Sequence, residues 1–436
     1  MDDAARRDKS SAFLELFFDL TFVFAFAQLI SYLIGHNTYS DWWRTVLLAG
    51  LLWWAWSIYA WVGNAIELDR RLVHAVMLFL TGATFFAAQA VPVAFTDQAE
   101  WFTVPYFIVR ITALGLYWFG LRSRGEEQQA LLPFIPLAAI APAVVLISGF
   151  LPVSVIPVLW LIAMVLDIAA SANVGISDFR VIPRHFAERH GLFVTIAFGE
   201  AIIVIGTATI EVARDASFVI AVVVGLIGVF VLWWSYFDWM NGASEEQLAE
   251  ASAEELPRVA RDMFTWAHFP IILGILFYAV AMEETVRQPY DQMAGHALWA
   301  LGLSFTLFLA GLAVTHLRGA GVPLVERMVA IAAVVIALVA FDDSWPAVAL
   351  VGACTVITAI ALAVEHLRPN LSGLVLSWWD SDSDDDGGVE TPIVDDDDSL
   401  EIDARVEDEG HDEDTVVNDK AAVSEPDAVE VFDEAS

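Results

Sequence analysis

Glu15 and Asp19 stand four residues apart inside an otherwise apolar run, a spacing that stacks two side chains on one helical face. Two carboxylates so placed repel if both are ionised. Either one holds a proton, or a cation or an arginine sits between them. The plainer reading has Glu15 reaching an interface and Asp19 capping or bonding a neighbouring helix. Glu200 lies in the middle of a second apolar run, next to Gly199 and six residues before Gly206. Glycines seven apart make one smooth helical stripe for a close neighbour, so Glu200 is expected to face protein. Arg110 is the one base deep within a run, and pairing it with Glu200 or Asp19 is the simplest way to neutralise the interior.

Asp167, Asp238, His268 and His316 fall in the inner parts of their runs, and with Glu15, Asp19 and His74 they would line an inner polar vestibule. Histidine titrates near neutrality and can carry protons, and carboxylates in such a place bind cations. Against this, charges at inner helix ends often only extend toward the headgroups. Two other patterns lead nowhere. His185-Phe186-Ala187-Glu188-Arg189-His190 has metal-ligand types, but its spacing fits no zinc helix, and His190 turns away from the side shared by His185 and Glu188. Asp382-x-Asp384-x-Asp386-Gly387 begins like a calcium loop, yet Ile393 stands where a bidentate glutamate is needed. With no phosphate loop, nucleophile elbow or Cys/His cluster, no metal or cofactor is expected, and nothing in the sequence requires an enzyme.

The elements that hold these residues are apolar. Of 436 residues 58% are hydrophobic and 18% charged. Apolar runs lie near 12–34, 42–63, 71–95, 101–121, 131–150, 152–173, 191–212, 217–241, 262–283, 295–317, 324–341 and 345–366. A bilayer crossing needs roughly 20 such residues, so the fold class is all-α, a polytopic transmembrane bundle of about 12 spans in a lipid bilayer. With the amino terminus inside, Arg44, Arg214 and Arg287 fall outside and the other span-flanking bases fall inside, an alternation that favours both ends in the cytoplasm of a cell-membrane protein. Arg6-Arg7 precedes a run with no small-residue cleavage site, which is expected to stay as an uncleaved first span.

Three segments follow: a cytoplasmic start at 1–11, a transmembrane domain at 12–368 and a tail at 369–436. The tail is dense in acids, with Asp395 to Asp398 in a row, and is expected to be disordered. The loop at 242–261 is acidic and is expected on the inner side. A net charge of −35, with Lys9 and Lys420 as the lysines, suits a salt-rich cytoplasm and argues against nucleic-acid partners. Cys354 is the single cysteine, so no internal disulfide forms.

An internal duplication of six and six spans is suggested by paired features. Phe13-x-Glu15 matches Phe186-x-Glu188, and Leu52-Trp53-Trp54 with Trp61 and Asn64 matches Leu232-Trp233-Trp234 with Trp239 and Asn241. Asp69-Arg70 with His74 matches Arg261-Asp262 with His268. Chance among so many tryptophans is the competing explanation. A six-span unit enters the membrane the same way twice, giving a parallel repeat with a pathway between the halves.

Glu15-Leu16-Phe17-Phe18-Asp19-Leu20, continuing to Phe22-Val23 and Gln28-Leu29, resembles the opening motif of the low-temperature-requirement A (LtrA) family. His185-Phe186-x-Glu188-Arg189-x-Gly191-Leu192-Phe193, followed by Phe198-Gly199-Glu200 and Ile205-Gly206, resembles its second motif, with Phe198 where many relatives carry leucine. The resemblance covers about residues 12–368. It implies a multipass membrane protein of bacteria and archaea named for a cold-growth phenotype, with no settled activity. It marks Glu15, Phe17, Phe18, Asp19, Glu188, Gly191, Gly199, Glu200 and Gly206 as motif positions without giving them roles. The leading expectation is a secondary transporter or ion-translocating protein for a small solute or cation, with Glu15, Asp19, Arg110, Asp167, Glu200 and His268 along its path. The alternatives are a membrane sensor or scaffold linked to stress or cold growth, and an intramembrane enzyme acting on lipid through Glu188, His190 and Glu200.

Overall fold

The computed structural model describes residues 2–36, 38–65, 71–120, 125–173, 181–208, 213–240, 248, 251–252 and 254–383. All regular structure among them is helical, an isolated bridge between Gln292 and Pro346 aside. The long helices are α1 (Asp2–Gly35), α2 (Tyr39–Ala65), α3 (Arg71–Gln89), α4 (Glu100–Gly120), α5 (Gly125–Ser148), α6 (Ile156–Asn173), α7 (Pro183–Ala208), α8 (Ala216–Met240), α9 (Leu256–Arg287), α10 (Gly295–Ala320), α11 (Val325–Phe341) and α12 (Ala347–Ser383). Each apolar run of the sequence falls on one of them. Most of the acidic tail, Asp69-Arg70 and part of the loop at 242–261 lie outside the described residues.

Among the described residues nine helices, α1 to α4, α7 to α10 and α12, are long and apolar enough to cross a membrane. The chain is therefore a multipass membrane protein in its architecture. The apolar parts of α5 and α6, Ile135–Ser148 and Ile156–Ala172, are shorter, as is α11. The shift from expectation that bears on the site is at α7. It begins at Pro183 rather than near residue 191, because Arg184 to His190 form polar opening turns that hydropathy alone discards. Proline suits a first helical position, where its missing N–H costs no hydrogen bond.

Two units divide at Val375. In the first, Met1–Val375, α9 is the central strut, with 83% of its apolar window buried against 28% for the peripheral α8. It packs on α10, α7, α1, α8 and α2. Its Arg261–Trp266 segment is a π-helical turn, in which the Ala267 N–H reaches back to the Asp262 carbonyl. Of the second unit, Leu376–Ser436, the described part is the end of α12.

Close helix approach does not occur where the Gly199–Gly206 stripe suggested. A Cβ at either glycine would meet nothing within 4 Å, so that face is open and Glu200 is only half-buried. The glycines that bring a neighbouring backbone closest are Gly274 and Gly311, where α9 crosses α10. A Cβ on Gly274 would lie 2.7 Å from the Ser304 carbonyl oxygen, and one on Gly311 2.7 Å from that of Ala267. Backbone cannot step aside, so Gly274→Ala is expected to lower the thermal unfolding midpoint of the purified protein, a loss of about 1–3 kcal/mol. Gly199→Ala should leave it unchanged. Equal midpoints for both variants would contradict this crossing.

Candidate functional site

The Glu15–Asp19 face of α1 meets an arginine. Arg189, from the second turn of α7, lies between the two acids. Its Nη1 donates to Glu15 Oε1 at 3.0 Å and to the Tyr59 carbonyl at 2.9 Å, and its Nη2 donates to Asp19 Oδ1 at 3.2 Å. Trp56 Nε1 of α2 also donates to Asp19 Oδ1, at 2.7 Å, and its ring lies 5.8 Å from the guanidinium. His185 closes one end of the network, its Nε2 3.1 Å from Glu15 Oε2. All but His185 are buried. Gly63 makes the room: a Cβ there would stand 2.5 Å from Glu15 Oε1 and 2.8 Å from Arg189 Nη1. Asn64 Oδ1 accepts the Ile182 N–H at 3.0 Å, which fixes the entry to α7 against the end of α2.

Of the alternatives open for the acid pair, an arginine between them is the one observed. It was missed because Arg189 sits in a polar stretch that reads as an inner loop. The usable signal was its place three and four residues after Phe186 and His185 in a motif otherwise rich in apolar residues.

Arg110 does not pair with Glu200 or Asp19. From α4 it forms a bidentate pair with Asp167 of α6, at 2.8 and 2.7 Å, and donates to Tyr106 Oη at 3.0 Å. The side chains are 0% and 1% exposed, so this charge pair is sealed within the helices. The fork of a guanidinium matches a carboxylate in this way, and two parallel bonds hold both in register. Glu200 has no hydrogen bond or ion pair among the described residues.

Beside Asp167 lies a cavity of about 70 Å³, large enough for a few waters or a very small solute. Its polar lining comes from Ser57, Asp167, Ser171, Arg261 and Thr265. The π turn of α9 borders it. Thr265 accepts Trp53 Nε1 at its carbonyl (2.7 Å), and Ser57 Oγ and Trp61 Nε1 at its hydroxyl (3.1 Å each), tying α9 to α2. π turns recur at functional sites because the widened turn frees backbone groups for other partners.

The remaining inner-end groups form separate contacts and do not converge on one vestibule. His268 is buried, with Tyr236 Oη 3.0 Å from its Nε2 and the Met263 carbonyl accepting at Nδ1. Asp238 pairs with His366 at 3.0 Å, and His316 contacts the Val322 carbonyl. Asp262 bridges Arg261 and Arg318. Glu188 faces outward, bonded to Arg184 one turn before it, and is not brought together with His190 or Glu200. His190 instead turns inward, packed against Trp56, Phe264 and His268.

The two motifs therefore meet in space, the first through Glu15 and Asp19 and the second through His185 and Arg189. The family model described as bacterial low temperature requirement A protein (LtrA) matches residues 10–364. The chain belongs to the LtrA family. Over 386 residues this LtrA protein is 26% identical to an uncharacterized protein, RA0937, of Rhizobium meliloti (strain 1021), a match spanning 82% of this chain and 90% of that one. No solved structure matches.

Within the LtrA motifs Phe18 is fully buried, its ring 4.7 Å from that of Tyr59, whereas Phe17 is half exposed and points away from the network. A Cβ on Gly191 would meet Phe237 at ordinary contact distance, and one on Gly199 or Gly206 would meet nothing within 4 Å.

Proposed function

We propose that this LtrA protein is a secondary transporter or ion-translocating protein, with twelve helices spanning the cell membrane and both chain ends in the cytoplasm. The observation that carries the reading is the Arg110–Asp167 pair sealed at membrane depth with a small, mostly apolar cavity on its flank. A buried ion pair is often no more stabilising than apolar residues of the same volume. Stability alone is thus a weak reason to hold one there, and a ligand entering beside Asp167 is a better one. Arg110 holds that carboxylate in place through two parallel hydrogen bonds. The π turn of α9, tied to α2 by the Thr265 hydrogen bonds, is the element whose shift would open or close the cavity. The Glu15–Arg189–Asp19 network forms the inner half of the path, and His268 stands behind it.

A parallel repeat of six and six helices is part of this reading, although the packed pair α5–α6 does not recur as α11–α12. The packed pairs α1–α2, α1–α3, α3–α4 and α4–α5 recur six helices later as α7–α8, α7–α9, α9–α10 and α10–α11. Two like halves rocking against each other are a common way to expose a central site to each side in turn. The Glu15–Arg189 contact then joins the first helix of each half.

The test is reconstitution in liposomes with an internal pH dye and a panel of cations and small solutes. Flux of at least one probe is expected, with loss on Asp167→Asn and on Asp19→Asn. No flux of any probe, or flux unaltered in both variants, would overturn the proposal.

A further inference from the structure

The Glu15–Arg189–Asp19 network is one positive charge short. Among the described side chains it holds two carboxylates and a single guanidinium. The other charged groups described near it are accounted for. Arg110 is matched by Asp167 on the α4 side, and Glu188 by Arg184 on the outer face of α7. From α3, neither Arg71 nor His74 makes a hydrogen bond or ion pair with the network. From α9, His268 is occupied by Tyr236 and Met263, and on α7 His190 Nδ1 is bound to the Phe186 carbonyl. From α2 come the neutral donor Trp56 and the carbonyl of Tyr59.

His185 does not supply the missing charge. A cationic imidazole has two N–H groups, and its Nδ1 is buried with no partner. The arrangement that leaves no bare donor is the neutral ring, with its proton on Nε2 and given to Glu15 Oε2. Three of the four carboxylate oxygens are thereby bonded: Glu15 Oε1 by Arg189, Glu15 Oε2 by His185, and Asp19 Oδ1 by Trp56 and Arg189. Asp19 Oδ2 takes part in no hydrogen bond among the described residues. One vacant oxygen matches one missing charge.

We infer that Asp19 Oδ2 is a proton-binding site. The inference deepens the transport reading by naming its coupling ion, and rests on that reading only for the direction of use. A bare metal cation would need several oxygens around it, and the other three carboxylate oxygens of the network are already taken by N–H donors. A proton needs only the one lone pair. On loading, an O–H bond forms at Asp19 and the network becomes neutral. On release, that bond breaks, the proton leaves and the network regains its net negative charge.

Infrared difference spectroscopy on the full-length protein in lipid tests this, in a Glu200→Gln background that removes the other unpaired membrane-depth acid. A protonated-carboxyl band at neutral pH is expected, lost in Asp19→Asn, kept in Glu15→Gln and indifferent to sodium. His185→Gln should keep the band. Should Asp19→Asn fail to fold, carbon-13 labelling of aspartate in the parent must move the band. No band, a band that ignores aspartate labelling or survives Asp19→Asn, or a band abolished by sodium would overturn the site. The band without any flux in liposomes leaves the proton site standing and removes the transport reading. Flux without the band does the reverse.

Discussion

Replacing Arg189 by methionine is expected to destabilise the folded protein by about 3–5 kcal/mol, the usual cost of leaving a buried charge without its partner. The side chain is 4% exposed and is the shared donor of Glu15 and Asp19, so its loss strands two carboxylates one turn apart. Neither can turn to water, since both are buried and Gly63 leaves no slack beside Glu15. Protons are the only available substitute. The folded variant would take them up where the unfolded chain releases them, so its stability falls as pH rises through the carboxylate range and is partly regained in acid. Adding Glu15→Gln and Asp19→Asn to Arg189→Met removes the stranded charges and should restore most of the loss at neutral pH. Thermal unfolding of the detergent-purified variants across pH decides it. An Arg189→Met protein that melts like the parent at neutral pH, or a triple variant no better than the single, would show that the network does not hold these helices together.

That this arginine escaped a reading of the sequence is instructive. Hydropathy locates what must be inside, and it found every long helix because a lipid-facing helix has to be apolar over its whole crossing. It is blind to polar turns that are buried by their partners and not by their composition. The opening turns of α7 are such a case: Arg184 and Glu188 face outward, while Arg189 and His190 on the opposite side are sealed. The sequence did carry the demand, since Glu15 and Asp19 at helical spacing require a neutralising group. It could not say which helix answers, because depth along a helix is legible while its neighbours and rotation are tertiary facts. The same gap explains Arg110, whose depth was evident but whose partner, Asp167, was not. It also explains Glu200. The glycines around it made α7 smooth, but smoothness only permits an approach, and the close crossing formed at Gly274 and Gly311 instead.

The Arg110–Asp167 pair separates stability from function more sharply than any single change. Arg110→Met leaves a bare carboxylate and Asp167→Leu a bare guanidinium, each with its remaining partner fully enclosed, so each alone should cost about 3–5 kcal/mol. The double variant Arg110→Met/Asp167→Leu leaves no charge and a similar volume. It is expected to unfold within about 1 kcal/mol of the parent, or above it, since apolar replacement of a buried pair is often neutral or stabilising. The Tyr106 hydroxyl would lose one partner, a small term beside a charge. A strong coupling between the two positions in this double-mutant cycle would establish the pair in the folded protein. Flux then distinguishes what stability cannot. If the pair serves only to fix α4 against α6, the stable double variant transports as the parent does. If Asp167 is the wall against which a ligand sits, the double variant is well folded and inert. A stable, fully active double variant would leave the cavity beside Asp167 as a packing defect and take away the main physical reason for reading this bundle as a carrier.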